Sequence, residues 1–74
     1  MITAAQRKRF VAICGELNDL LREIRKTTPG ANYYLAEDTL NLMKGESHTG
    51  RDGKAAHENS VESVLIPHSG GGDW

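Results

Sequence analysis

The 74-residue chain has a single cysteine, Cys14, so neither an internal disulfide nor a cysteine-built zinc cage can staple it. It has no excess of either charge: nine Lys and Arg stand against ten Asp and Glu, giving a formal net charge of −1 and a pI near 6.3. A chain so balanced offers no global field to a polyanion, which disfavours nucleic acid as a partner. Long apolar runs are missing too, with 38% hydrophobic residues and a mean hydropathy of −0.51. A bilayer-spanning segment or secretory signal is therefore not expected, and a soluble, cytoplasmic protein is. The length fits one small domain over residues 1–74 and excludes a second catalytic lobe. With no staple available, stability is expected to come from packing, in part between subunits.

What is present begins with a helical stripe. Phe10, Cys14, Leu17, Leu21 and Ile24 recur at spacings of four and three, joined by Ile13 and Leu20, and predict an amphipathic helix over about 3–27. Thr3 followed by Gln6 has the form of a capping box, and Arg25 and Lys26 suit the carbonyls of a last turn. Thr28-Pro29-Gly30 then stops the helix, because proline holds its predecessor extended. Residues 32–44 read as a hairpin of β-formers around Glu37-Asp38, with Leu40 and Leu42 on one face and Thr39, Asn41 and Met43 on the other. Glu-Asp is a poor primed-turn pair, so a short helix from Leu35 to Lys44 competes. Residues 45–60 are polar and read as a loop, 61–66 as a short third strand, and 67–74 as a glycine-rich tail. The expected fold is α+β: an N-terminal amphipathic helix, then a small antiparallel β-meander, assembled as an oligomer.

The loop concentrates functional groups. His48, Arg51, Lys54 and His57 lie beside Gly50 and Gly53, and this mixture suits an anion: glycines admit backbone amides to a ligand, arginine offers a fork and lysine a point charge. The spacing matches neither a Walker A loop nor a dinucleotide fingerprint, so the signal is one of composition. His48, His57 and His68 stand nine and eleven residues apart, which is not the spacing of a zinc site, and no metal or cofactor is expected. No nucleophile with a base and no pair of carboxylates can be assigned, so no catalytic residues are named and no enzyme is expected. Cys14 lies on the apolar stripe and reads as a core residue.

A second set of residues suits a macromolecular partner. Arg7, Lys8 and Arg9 sit in the first turns of the helix, where the macrodipole disfavours cations, and such a violation marks a surface that meets an anion or acidic partner. Residues 1–30 carry a net charge of +3 and residues 31–74 a net charge of −4, so the two halves are complementary. Tyr33-Tyr34 and Trp74 supply aromatic anchors, Trp74 at the end of a tail that is expected to dock as a latch.

The expected function is therefore a small non-enzymatic oligomer, self-associated through the Phe10, Cys14, Leu17, Leu21 and Ile24 stripe. It would grip a phosphorylated small molecule or nucleotide with His48, Arg51, Lys54 and His57. The alternative is an interaction module or inhibitor that applies Arg7, Arg9, Tyr33, Tyr34 and Trp74 to a larger host protein. A short chain without a catalytic constellation fits a sequestering protein of viral or mobile-element origin in either case.

Overall fold

A computed structural model of the chain describes residues 1–49 and 53–72, and of Thr49 and Lys54 the backbone alone. Helix α1 runs Ala4–Arg25. It starts on the capping box: Thr3 Oγ1 accepts from the Gln6 amide at 3.1 Å while Gln6 Oε1 accepts from the Thr3 amide at 2.8 Å. It ends two residues short of the predicted limit. The Thr27 and Thr28 amides still reach the Ile24 carbonyl at 3.1 and 2.8 Å, and the Arg25 guanidinium donates past Pro29-Gly30 to the Ala31 carbonyl.

Among the described residues five strands follow: β1 Asn32–Ala36, β2 Thr39–Met43, β3 His48–Thr49, β4 Lys54–Ala55 and β5 Ser60–Leu65, with a 3-10 turn at His57–Asn59. The first, second and fifth form an antiparallel sheet in the order β1-β2-β5, and β3 pairs with β4 in a separate ribbon. The molecule is thus α+β, with an N-terminal helix and a three-stranded antiparallel sheet, and 35–44 is strand and turn rather than helix. Residues 45–60 are not without regular structure as their composition predicts. The Ala56 amide donates to the Ser47 carbonyl at 2.8 Å, the Lys44 amide to the Asn59 carbonyl at 2.8 Å, and the Asn59 amide nitrogen Nδ2 to the Glu46 carbonyl at 2.9 Å. These bonds close the segment at its base, so its short strands and 3-10 turn need no apolar core of their own.

The β1-β2 turn carries strain. Glu37 and Asp38 both have positive φ, 50° and 62°, the geometry of a primed turn that glycine or asparagine normally supplies. Left-handed geometry costs an ordinary residue about 1–2 kcal/mol. The tail offsets that cost by wrapping the turn. Asp38 Oδ1 accepts from the Ser69 and Gly70 amides, the Asp38 amide donates to the Gly70 carbonyl at 2.8 Å, and Ile66 donates to the Asp38 carbonyl at 2.7 Å. Gly72 then bonds the outer edge of β1, donating to Leu35 at 3.1 Å and accepting from Glu37 at 3.2 Å. The tail therefore docks through residues 69–72, while Asp73 and Trp74 lie outside the described residues.

Gly71 is where this clasp is most restrictive: its φ is 97°, and a Cβ there would come within 2.6 Å of the Leu35 carbonyl oxygen. Gly70 shares the positive φ, at 66°, but faces open space. Gly71→Ala is expected to lower Tm by roughly 8 °C or more, about 2 kcal/mol, and Gly70→Ala by about half as much. Thermal denaturation of the two variants checks this, and equal midpoints would remove the clasp from the account.

Strand alternation divides the sheet into two faces. Tyr33, Leu40, Leu42 and Val64 lie with α1, lining a groove with Leu17 and Leu20. Tyr33 donates its hydroxyl to the Leu17 carbonyl at 2.6 Å, and burial pushes its pKa above the ordinary 10, so it stays protonated and donating. Tyr34, Ala36, Asn41 and Met43 share the opposite face, over which the 44–59 segment returns. The fully buried apolar side chains among the described residues are Ala31, Ala36, Met43 and Ala56, and the buried polar one is Asn41. The core thus sits on the side away from the helix. Among the described residues of α1 none is fully buried.

The apolar stripe is consequently split. Cys14, Leu17, Leu21 and Ile24 are half-buried, whereas every residue from Met1 to Ile13 is exposed, Phe10 and Val11 at 69% each. A helix of 22 residues is about 33 Å long and a five-residue strand about 17 Å, so one end of α1 extends past the sheet. The ion pair of Arg22 with Asp19, at 2.9 Å, lies within the helix itself and does not join the two halves.

Candidate functional site

Of the residues predicted to grip an anion, His48 opens β3, the Lys54 backbone opens β4, and His57 starts the 3-10 turn that follows. The pairing of His48 with Ala55 and of Thr49 with Lys54 joins β3 and β4 in an antiparallel ribbon. Gly53 has φ 62°, the left-handed conformation that a turn returning into β4 requires and that glycine adopts at no steric cost. Arg51 and Gly50 lie outside the described residues, as does the side chain of Lys54, so of the four predicted ligand-binding residues the described side chains are His48 and His57.

His48 is half-buried. Its ring stands edge-on to Tyr34, with centroids 5.7 Å apart and planes at 87°, and its Nδ1 lies 3.1 Å from Ser47 Oγ. An edge-to-face ring pair fixes the imidazole on the sheet and, through β3, fixes the base of the hairpin. His57 is exposed at the start of the 3-10 turn, two residues beyond the partner of His48. The described arrangement is a short ribbon whose two strands are tied to the sheet at His48 and at the Ala56 to Ser47 bond.

The predicted partner-binding residues are dispersed. Tyr33 and Tyr34 do not form a shared exposed patch, because adjacent strand residues point to opposite faces: one bonds the helix and the other meets His48, and both are half-buried. Arg7 and Arg9 are exposed with Lys8 on the projecting end of α1, where a shallow depression of about 400 Å³ bounded by Ala4, Arg7, Lys8 and Val11 is one side of a lone helix and not an enclosure. Trp74 lies outside the described residues. Among the described residues no three His, Cys, Asp or Glu side chains come together as metal ligands, and no helix is long and apolar enough to cross a membrane.

Two residues that organise this region escape a sequence reading. Asn41 is 2% exposed, donates Nδ2 to the Tyr34 and Thr39 carbonyls at 3.1 and 3.2 Å, and accepts from Ser63 Oγ at 2.6 Å, joining all three strands beneath the hairpin. Asp38 does the same for the tail. The available signal was Met43, an apolar residue sharing the Asn41 face. Comparison with family models, with curated proteins and with solved structures finds nothing that matches this chain.

Proposed function

We propose that the chain is a non-enzymatic binding protein that takes a phosphorylated small molecule, a nucleotide foremost, on the β3-β4 hairpin, and that it works as a homo-oligomer. The observation that supports this reading is the mounting of the β3-β4 ribbon: the ring of His48 against Tyr34 and the Ala56 to Ser47 bond tie to the sheet the two strands that flank Arg51 in sequence. A ribbon ordered in advance loses less entropy on binding than a loop that must be frozen by its ligand.

The test is isothermal calorimetry of the wild type and of an Arg51→Ala, Lys54→Ala variant against a panel of nucleotides and sugar phosphates. Hydrogen bonds to charged groups are worth about 1.5–3 kcal/mol each, so losing two is expected to weaken binding about 100-fold or more. Exposed cations add little to stability, and Tm is expected to stay the same. Silence from the wild type across the panel would end this reading. A second reading, an interaction module or inhibitor of a larger protein, is favoured by the exposure of Phe10, Val11 and Ile13 beside Arg7, Lys8 and Arg9 on the free end of α1. That surface suits a partner with an apolar groove rimmed by carboxylates.

A further inference from the structure

We infer that the free edge of β5 pairs antiparallel with β5 of a second copy, extending the three-stranded sheet to six strands across a two-fold axis. Among the described residues β5 has a neighbour on one side only, β2. The Ile66 amide bonds the Asp38 carbonyl, and Val64 lies opposite Leu40, two residues further along. By the alternation of an antiparallel ladder, the main-chain groups of Ile66, Val64 and Glu62 point to β2, and those of Ser63 and Leu65 point out of the sheet. Monomeric proteins protect such an edge with lysine, proline or inward charge. Ser60–Leu65 contains neither lysine nor proline; of its exposed residues Glu62 and Ser63 are polar, and Val61, Val64 and Leu65 are apolar at 60%, 57% and 67% exposure.

The sequence of the edge selects a second copy of itself and a register. Both members of a hydrogen-bonded pair must face outward, which leaves two-fold axes at Glu62, Ser63 or Val64. An axis at Glu62 sets two carboxylates directly opposite, which destabilises. An axis at Ser63 needs Val61, which the register shift between Leu42 and Met43 places at a bulge. An axis at Val64 uses only the regular part: Ser63 bonds Leu65 of the second copy twice over, and Val64 meets its own copy in the closely spaced position.

The apolar surface continues from β5 onto the helix, because Val64 and Leu20 line one groove and Ile13 lies two turns from Leu20 on the same side of α1. Across the two-fold both helices fall on one face of the joined sheet. The exposed parts of Val64, Ile66, Leu20 and Ile13 amount to roughly 330 Å² per copy on the helix side, and Leu65 adds roughly 120 Å² on the opposite face, together about the apolar share of the ~800 Å² that each partner gives to a standard interface.

Sedimentation velocity at 100 μM, paired with amide hydrogen exchange by NMR, tests this. The wild type is expected to sediment as a dimer in which the Ser63 and Leu65 amides exchange about 100-fold or more slowly than exposed amides do. Leu65→Lys places a charge on the edge, and Leu65→Pro removes an N–H on the side of the strand away from β2; both are expected to give monomers with the wild-type circular dichroism spectrum and fast exchange at Ser63. Phe10→Glu, on the projecting end of the helix, is expected to remain dimeric. A monomeric wild type, a dimer whose Ser63 and Leu65 amides exchange freely, or dissociation by Phe10→Glu and not by the Leu65 variants would each overturn the inference. None of these outcomes depends on the hairpin, so the anion reading stands or falls separately.

Discussion

Asn41→Asp is expected to destabilise the protein strongly at pH 7 and to recover part of the loss in acid. The substitution changes no volume. It replaces an NH2 group that donates to the Tyr34 and Thr39 carbonyls with a carboxylate oxygen aimed at both, in a site 2% exposed. An uncompensated buried charge costs about 3–5 kcal/mol, a large share of the roughly 4–11 kcal/mol that a chain of this length commands. Burial among acceptors raises the pKa of the new acid in the folded state. Its folded form therefore binds the proton more tightly than its unfolded form does. The stability it permits is present below the ordinary carboxylate pKa near 4 and is lost as pH rises through the raised folded value. Urea denaturation at pH 4 and pH 7 checks this: the variant is expected to gain stability on acidification relative to wild type. A variant as stable as wild type at pH 7 would show that Asn41 does not join the strands.

Met43→Ala is expected to cost about 2–5 kcal/mol, the range for removing most of a fully buried aliphatic side chain. Met43 has no exposed surface and occupies the face opposite the helix. Phe10→Ala removes a larger side chain from the stripe but is expected to change the stability by no more than about 0.5 kcal/mol, since Phe10 is 69% exposed. Denaturant midpoints for the pair decide where the core lies. The reverse ranking would put it under α1 and contradict the fold described above.

Much of the local architecture was legible because it is decided by short-range physics. The 3.6-residue recurrence from Phe10 to Ile24, the Thr3 and Gln6 cap and the Pro29 stop specify α1 with no tertiary information, and β-formers on both sides of Glu37-Asp38 specify the hairpin. What the helix packs against was not legible from its pattern. A periodic apolar face says that something covers it, and here the C-terminal part meets the chain's own sheet while Phe10 and Ile13 do not. The structure within residues 45–60 was hidden for a related reason: its ribbon and 3-10 turn are held by main-chain bonds at Ser47 and Asn59, which leave no hydrophobic periodicity to find. The Glu37-Asp38 turn looked unfavourable because its compensation comes from Ser69 and Gly70, more than thirty residues away. Of the candidate site, the grouping of His48, Arg51, Lys54 and His57 in sequence was visible, and the ribbon that carries His48 required the pairing of β3 with β4.

The proposal at the centre of this account is that Arg51 and Lys54 hold an anion, and a ¹H–¹⁵N NMR titration with ATP and with inorganic phosphate tests it most directly. Saturable shifts are expected in the amides of residues 48–57, abolished in the Arg51→Ala, Lys54→Ala variant. Wild-type spectra that do not move with either ligand, or shifts confined to Arg7, Lys8 and Arg9 on α1, would contradict it.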